Sequence, residues 1–121
     1  MAVLVIDDDP DTLQLIADEL QGLGFVTISA VDGQEGIDIV ERVPVELVLT
    51  DIRMPGMSGF EILDHCKARV PPIPVVLMFG VLSMTNAAAF ERGASGLLYK
   101  PFTAAQLEKL IAPFVIRAAT S

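Results

Sequence analysis

Four charged residues that lie far apart in the sequence have the types that phosphoryl chemistry requires. Asp7 and Asp8 follow one apolar run, Asp51 ends another, and Lys100 follows a third. Three carboxylates in one pocket repel one another unless a hard divalent cation lies among them, and oxygen ligands in this number suit Mg²⁺. A carboxylate, a metal and a lysine supply an attacking oxygen, charge neutralisation and a positioned cation. Phosphoryl transfer therefore requires a fold that brings these four residues together.

The apolar runs before these residues predict strands of a parallel sheet. Residues 2–6, 45–50 and 75–79 are almost wholly apolar, which is typical of strands buried on both faces. Residues 25–30 admit polar side chains at alternate positions, and residues 96–99 form a short run. These two segments predict edge strands.

Helix signals alternate with the strands. A fourth helix is predicted over residues 83–92, and Pro113 is predicted to end or kink the fifth helix near Ala112. The first helix has proline at its first position, Pro10, and capping residues precede four of the helices. These predicted N-caps are Asp9, Asp32, Ser58 and Thr103.

The alternation of strands and helices predicts one α/β domain over residues 1–121, with a doubly wound, flavodoxin-like sheet. We infer the strand order 2-1-3-4-5 with helices on both faces. In such a sheet, ligands bind beyond the carboxyl ends of the strands, at the switch point between the first and third strands. Asp7, Asp8, Asp51 and Lys100 are therefore expected to line one pocket at that edge.

Composition limits the possible partners and the compartment. The formal net charge is -8, which argues against direct binding of nucleic acid. Residues 1–64 hold 14 acidic and 2 basic residues, an excess that suits a cation site. No apolar run approaches the length of about 20 residues that spans a membrane. The start carries no signal-peptide pattern, and the single cysteine, Cys66, is expected to be a buried thiol. A cytoplasmic protein is predicted, with His65 as a solvated helix residue.

Three motifs together resemble the receiver domain of bacterial two-component response regulators over essentially the whole chain. They are Val-Ile-Asp-Asp at residues 5–8, Leu-Val-Leu-Thr-Asp-Ile-Arg-Met-Pro-Gly-Met-Ser-Gly at residues 47–59, and the stretch from Gly93-Ala-Ser-Gly to Lys-Pro-Phe at residues 93–102. The resemblance implies a phosphorelay function in which Asp51 is the phosphoacceptor and Lys100 binds a phosphoryl oxygen.

The same resemblance implies the remaining features of the site. Asp8, Asp51 and the backbone carbonyl of Arg53 would bind Mg²⁺ directly, and Asp7 would join the metal site largely through water. Gly80 would leave room for a phosphate donor to approach. Pro101 would follow a cis peptide bond.

The resemblance also implies partners and a regulatory role. The phosphoryl donor would be a sensor histidine kinase or a histidine phosphotransfer protein, and the signal would pass to a downstream protein or a fused output domain. Such a domain is not an enzyme, except that it catalyses its own phosphorylation and dephosphorylation.

Two positions depart from the family pattern. Phe79 stands where the family has Thr or Ser at the end of the fourth strand, and Leu97 stands where it has an aromatic switch residue, with Tyr99 displaced to a nearby position. The segment from residue 79 to residue 100 is also one residue shorter than usual. An alternative is therefore a pseudo-receiver, which keeps the fold and acts as a protein-interaction module without normal phospho-switching.

Two other classes fit the sequence poorly. An aspartate-nucleophile phosphohydrolase needs a second acidic pair late in the chain, but beyond Asp64 only Glu91 and Glu108 are acidic, and both lie in predicted helices. A flavin-binding module would require hydroxyl- and glycine-rich loops at the end of the first strand, where this chain has acids.

Overall fold

Five parallel strands form the centre of the molecule in the order 2-1-3-4-5, as predicted. The computed structural model describes residues 2–80 and 92–120, with side chains described as far as Phe114. The strands are β1 (Ala2–Ile6), β2 (Val26–Ala30), β3 (Leu47–Asp51), β4 (Val75–Phe79) and β5 (Gly96–Tyr99). The doubly wound fold inferred from the apolar runs is therefore confirmed.

Helices cover both faces of this sheet. They are α1 (Pro10–Gly22), α2 (Gly33–Arg42), α3 (Gly59–Lys67) and α4 (Ala104–Thr120). The helix predicted over residues 83–92 lies outside the described residues, apart from Arg92. Within the ranges that the structure describes, no helix combines the length and apolar character needed to cross a membrane.

Polar side chains begin the first two helices as predicted. Asp9 is the N-cap of α1 and accepts a hydrogen bond from the backbone N–H of Asp11 at 3.1 Å. Asp32 is the N-cap of α2 and accepts from the backbone N–H of Glu35 at 2.8 Å. Each bond satisfies one of the N–H groups that have no partner within the first helical turn.

The other two helix starts differ from each other. Ser58 is the N-cap of α3, but its side chain makes no capping hydrogen bond. Thr103 and Gln106 form a reciprocal pair: Thr103 Oγ1 accepts from Gln106 N at 3.1 Å, and Gln106 Oε1 accepts from Thr103 N at 2.8 Å. This capping box starts α4 directly after the loop that follows β5.

Pro113 was predicted to end or kink the last helix near Ala112; the stop is wrong, and the kink stays a prediction. The helix continues through Pro113 to Thr120. Leu107 and Ile111, one turn apart, are completely buried against the sheet. Most helical stability in proteins comes from such packing. The packed helix therefore tolerates the loss of the backbone hydrogen bond that proline cannot form.

The core has one layer on each face of the sheet. Along β1, Val3 and Val5 face the layer under α1 and α4, whereas Leu4 and Ile6 face the layer under α2 and α3. All four side chains are completely buried. This two-sided burial explains why the central strands are continuous apolar runs rather than alternating ones.

Cys66 and His65, neighbours on α3, differ in burial as the sequence predicts. Cys66 is completely buried, and desolvation raises the pKa of its thiol to about 11, so it stays protonated at neutral pH. His65 is partly exposed, and its Nε2 lies 2.6 Å from Oε1 of Glu41 on α2. Glu41 also pairs with Arg69 at 2.9 Å, so His65 belongs to a surface ion-pair group that links α2 to α3.

Three residues of α3 contact Arg92, which lies shortly before β5. The Arg92 guanidinium lies 4.4 Å from the centroid of the Phe60 ring and 2.9 Å from Oδ2 of Asp64. One turn further on, the Lys67 ammonium donates a hydrogen bond to the backbone carbonyl of Arg92 at 2.8 Å. These contacts connect the helix that follows the Asp51 loop with the chain that enters β5.

Candidate functional site

Three aspartates meet at the carboxyl edge of the sheet. Asp7 and Asp8 come directly after β1, and Asp51 is the last residue of the neighbouring strand β3. One carboxylate oxygen from each of the three lies within 4.8 Å of the others. The convergence expected from the strand order is therefore observed.

Lys100 reaches the same group of acids from the end of β5. Its Nζ donates hydrogen bonds to Oδ2 of Asp7 at 2.6 Å and to Oδ2 of Asp51 at 3.1 Å. Burial of the ammonium is the largest single influence and by itself lowers its pKa. The hydrogen bonds to Asp7 and Asp51 and the negative charges of the same two residues together outweigh that effect, so the pKa of Lys100 lies above its usual value. The lysine is held as a cation between two carboxylates.

Asp7 is held in place more tightly than the other two acids. It is completely buried, and its Oδ1 accepts a hydrogen bond from the backbone N–H of Asp9 at 2.9 Å. Its own backbone N–H donates to the carbonyl of Ala30 at the end of β2. A buried charge is tolerated only when it is paired and hydrogen-bonded. The ion pair with Lys100 and these hydrogen bonds together meet that requirement for Asp7.

Asp8 has no comparable support. Its side chain is exposed, and among the described residues nothing forms a hydrogen bond or ion pair with its carboxylate. The three carboxylates and the one ammonium together carry a formal charge of -2. These hard oxygen donors, in a pocket short of positive charge, fit a divalent cation such as Mg²⁺. Asp7, Asp8 and Asp51 are the residues that could hold it.

The loop after β3 approaches the Asp51 carboxylate. The backbone N–H of Arg53 donates to Oδ1 of Asp51 at 3.3 Å. The turn at Pro55 and Gly56 is formed with a φ of 86° at Gly56, a value that favours glycine. The Arg53 backbone thus lies beside Asp51, where the family resemblance leads one to expect a carbonyl ligand.

Gly59 lets α3 start against the end of β3. Its backbone N–H donates to the carbonyl of Ile52 at 2.9 Å. A Cβ at this position would collide with the carbonyl oxygen of Asp51 and would lie 2.9 Å from the Cα of Ile52. The obstructing atoms are backbone, so a side chain could be admitted only if the strand or the helix moved.

An exposed glycine follows β4, and the last residue of the strand has a buried ring. Gly80 is exposed, and a Cβ there would meet no described atom within 4 Å. Phe79 is buried, and its ring packs edge-on against Tyr99, with centroids 4.5 Å apart and planes at 86°. Leu97, two residues before Tyr99 on the same face of β5, is partly buried.

The aromatic contact is a feature that sequence reasoning missed. The sequence shows Tyr99 only as an aromatic residue displaced from its usual position. The cross-strand register, in which Phe79 is paired with Tyr99, is the signal that could have found the contact. The peptide bond between Lys100 and Pro101 is cis, as the resemblance implies, and the bond between Val70 and Pro71 is also cis.

The chain is similar to response regulators and to part of a sensor histidine kinase. Residues 3–112 match the family model of the response regulator receiver domain. The response regulator protein FleR of Pseudomonas aeruginosa is 36% identical over 112 residues, which are 91% of this chain and 24% of that protein. The sensor histidine kinase RcsC of Salmonella typhi is 30% identical over 118 residues, which are 97% of this chain and 12% of the kinase. The chain thus spans a small part of the length of these relatives.

Solved structures resemble the chain over nearly its full length. A response regulator receiver domain protein from Clostridium thermocellum has a TM-score of 0.87 and 32% identity, covering 98% of this chain and 97% of that chain. The response regulator TrrA from Thermotoga maritima, in complex with Mg²⁺-BeF, has a TM-score of 0.83 and 26% identity, covering 93% of this chain and 96% of that chain.

Two alanine substitutions test the backbone geometry around Asp51. Gly59→Ala is expected to lower the free energy of unfolding by about 2 kcal/mol, because its Cβ collides with backbone atoms. Gly80→Ala is the matched control and should change it by less than about 0.5 kcal/mol, since its Cβ meets no atom of the described residues within 4 Å. Urea denaturation measures both. Equal stabilities of the two variants would contradict the close approach at Gly59.

Proposed function

Because the chain belongs to the response regulator receiver family, whose members are regulatory domains of two-component systems, we propose that it accepts a phosphoryl group on the Asp51 carboxylate. The observation that carries this proposal is the position of the Lys100 ammonium between Asp7 and Asp51, with the exposed Asp8 beside them.

The proposed step is an in-line displacement. An oxygen of the Asp51 carboxylate attacks the phosphorus of a phosphohistidine, forming an O–P bond while the N–P bond breaks. The electron pair of the broken bond stays on the imidazole nitrogen, which takes up a proton from solvent. Lys100 neutralises the phosphoryl oxygens, because its Nζ already lies 3.1 Å from Asp51.

Asp8, Asp51 and the Arg53 carbonyl would hold Mg²⁺ directly, with Asp7 acting largely through water. When bound, the metal supplies neutralisation of the charge on the transferring phosphoryl group. Its two positive charges equal in size the formal charge of -2 on the three carboxylates and Lys100. Without that neutralisation, a phosphate donor would meet an excess of carboxylates. Gly80, which is exposed, would leave room for the donor to approach.

Receiver domains pair with histidine kinases and with output domains. For this chain we assign the donor role to a sensor histidine kinase or a histidine phosphotransfer protein. The recipient of the signal would be a downstream protein or an output domain fused to the chain. Residues 1–121 would form a single receiver domain that acts in the cytoplasm and catalyses at most its own phosphorylation and dephosphorylation.

A second candidate function rests on the end of β4. Phe79 offers no hydroxyl to a phosphoryl group, and Leu97 offers no aromatic ring with a polar end. A receiver with these residues could act as a protein-interaction module without the usual conformational response. Asp7, Asp8, Asp51 and Lys100 favour phosphorylation, so the two candidates differ chiefly in the conformational response to the chemical step.

The acceptor residue is tested by intact-mass measurement. With Mg²⁺ and acetyl phosphate, the protein should gain one phosphoryl group, and Asp51→Asn should gain none. Removal of Mg²⁺ with a chelator should prevent the gain as well, because the carboxylates would then repel the donor. Labelling that persists in Asp51→Asn would contradict the assignment.

Metal binding is tested through stability. Because Mg²⁺ would bind the folded pocket, at ten times its Kd it should stabilise the protein by about 1.4 kcal/mol, measured as a rise in Tm. Asp8→Ala should abolish the rise. Asp11→Ala is the matched control, since it removes a nearby exposed charge outside the three-aspartate cluster, and the rise should persist in it. An unchanged Tm at millimolar Mg²⁺ would contradict the proposed metal site.

Conformational switching is tested by NMR with beryllofluoride and Mg²⁺, the beryllofluoride standing in for the phosphoryl group. A ligand shifts a conformational equilibrium only through contacts that differ between the two states, and Phe79 lacks the hydroxyl that makes such a contact. Chemical-shift changes should therefore concentrate around Asp8, Asp51 and Lys100 and stay small along β5. Phe79→Thr should enlarge the distant changes. Large changes throughout β5 in the unmodified protein would show that it switches by another route.

A further inference from the structure

We propose that Phe79 and Tyr99 act as positioning residues for Lys100, and that their ring contact sets how well the lysine holds a phosphoryl group. This inference rests on the proposed function, because the phosphoryl group is what Lys100 would bind. It assigns a positioning role to Phe79, which stands where the family has Thr or Ser.

The contact lies at the point where Lys100 leaves the sheet. Phe79 and Tyr99 are the last cross-strand pair of β4 and β5, and their rings meet edge to face at 4.5 Å. The next hydrogen bond along the ladder runs from the backbone N–H of Lys100 to the carbonyl of Phe79, at 2.9 Å. Lys100 is thus tied to Phe79 through its backbone and through the side chain of its neighbour Tyr99.

Burial makes this arrangement firm on one side. Phe79 is almost completely buried, so its ring cannot leave the core layer under α3. Tyr99 is about half exposed. The Phe79 ring therefore provides a fixed surface, and the Tyr99 ring rests on it. An edge-to-face pair of this kind contributes attraction beyond the burial of its area.

Lys100 is closely confined between two carboxylates. Its Nζ contacts Asp7 at 2.6 Å and Asp51 at 3.1 Å, with only a quarter of the side chain exposed. With no hydroxyl at residue 79, Lys100 carries more of the charge compensation for a phosphoryl group on Asp51. Small displacements of a positioned group are costly in phosphoryl transfer, which depends on positioning and electrostatics. Loss of the ring contact should therefore weaken binding at Lys100 rather than binding of the metal.

The experiment measures beryllofluoride affinity at saturating Mg²⁺ by calorimetry, and Mg²⁺ affinity separately. Tyr99→Leu should weaken beryllofluoride binding roughly two- to tenfold, the range that such ring pairs support. Its Mg²⁺ affinity should not fall, because none of the proposed metal ligands lies on β5 and a displaced Lys100 ammonium competes less with the metal for Asp7 and Asp51. Tyr99→Phe is the matched control: it keeps the ring and should bind beryllofluoride as the unmodified protein does. Phe79→Leu removes the other ring and should repeat the loss seen in Tyr99→Leu.

A double-mutant cycle with Lys100→Met separates positioning from general damage. If Tyr99 acts through the lysine, Tyr99→Leu should change beryllofluoride affinity by less than about twofold once Lys100 is methionine. Equal affinities in Tyr99→Leu and the unmodified protein, or an undiminished loss in the Lys100→Met background, would overturn this inference alone. Failure of the unmodified protein to bind beryllofluoride would overturn the proposed function, and this inference with it.

Discussion

Repulsion among three carboxylates at one edge of the sheet is the constraint on which the site depends. The strand order brings Asp7 and Asp51 to adjacent strand ends, so their proximity follows from the fold itself. Lys100 offsets part of this repulsion by donating to both. It comes from β5, three positions away from β1 across the sheet, and therefore only the complete sheet holds the site together.

The strands and the site were largely predictable because both follow from simple periodicities. Continuous apolar runs indicated β1, β3 and β4, and the rule that parallel strands present ligands at their carboxyl ends placed Asp7, Asp51 and Lys100 at one edge. Contacts that depend on side-chain packing were not predictable in the same way. Lys100 lies nearer to Asp7 than to Asp51. The sequence does not predict this difference, since it depends on how the side chains pack around each carboxylate.

The fate of Pro113 illustrates a different limit. A local rule predicts that proline ends a helix, but the rule omits what the helix is packed against. In α4, Leu107 and Ile111 fasten the helix to the sheet before the proline is reached. The contact between Phe79 and Tyr99 likewise required knowledge of the register between two strands. In both cases, long-range packing determined a detail that neighbouring residues in the sequence do not encode.

The composition gives Tyr99 an optical significance that is separate from its packing. The chain has no tryptophan and only one tyrosine, so Tyr99 is the sole source of tyrosine fluorescence in the molecule. That single fluorophore is adjacent in sequence to Lys100, packs against Phe79 and is about half exposed. The protein thus carries a native, label-free spectroscopic probe at one strand end, and its emission reports the surroundings of that one ring.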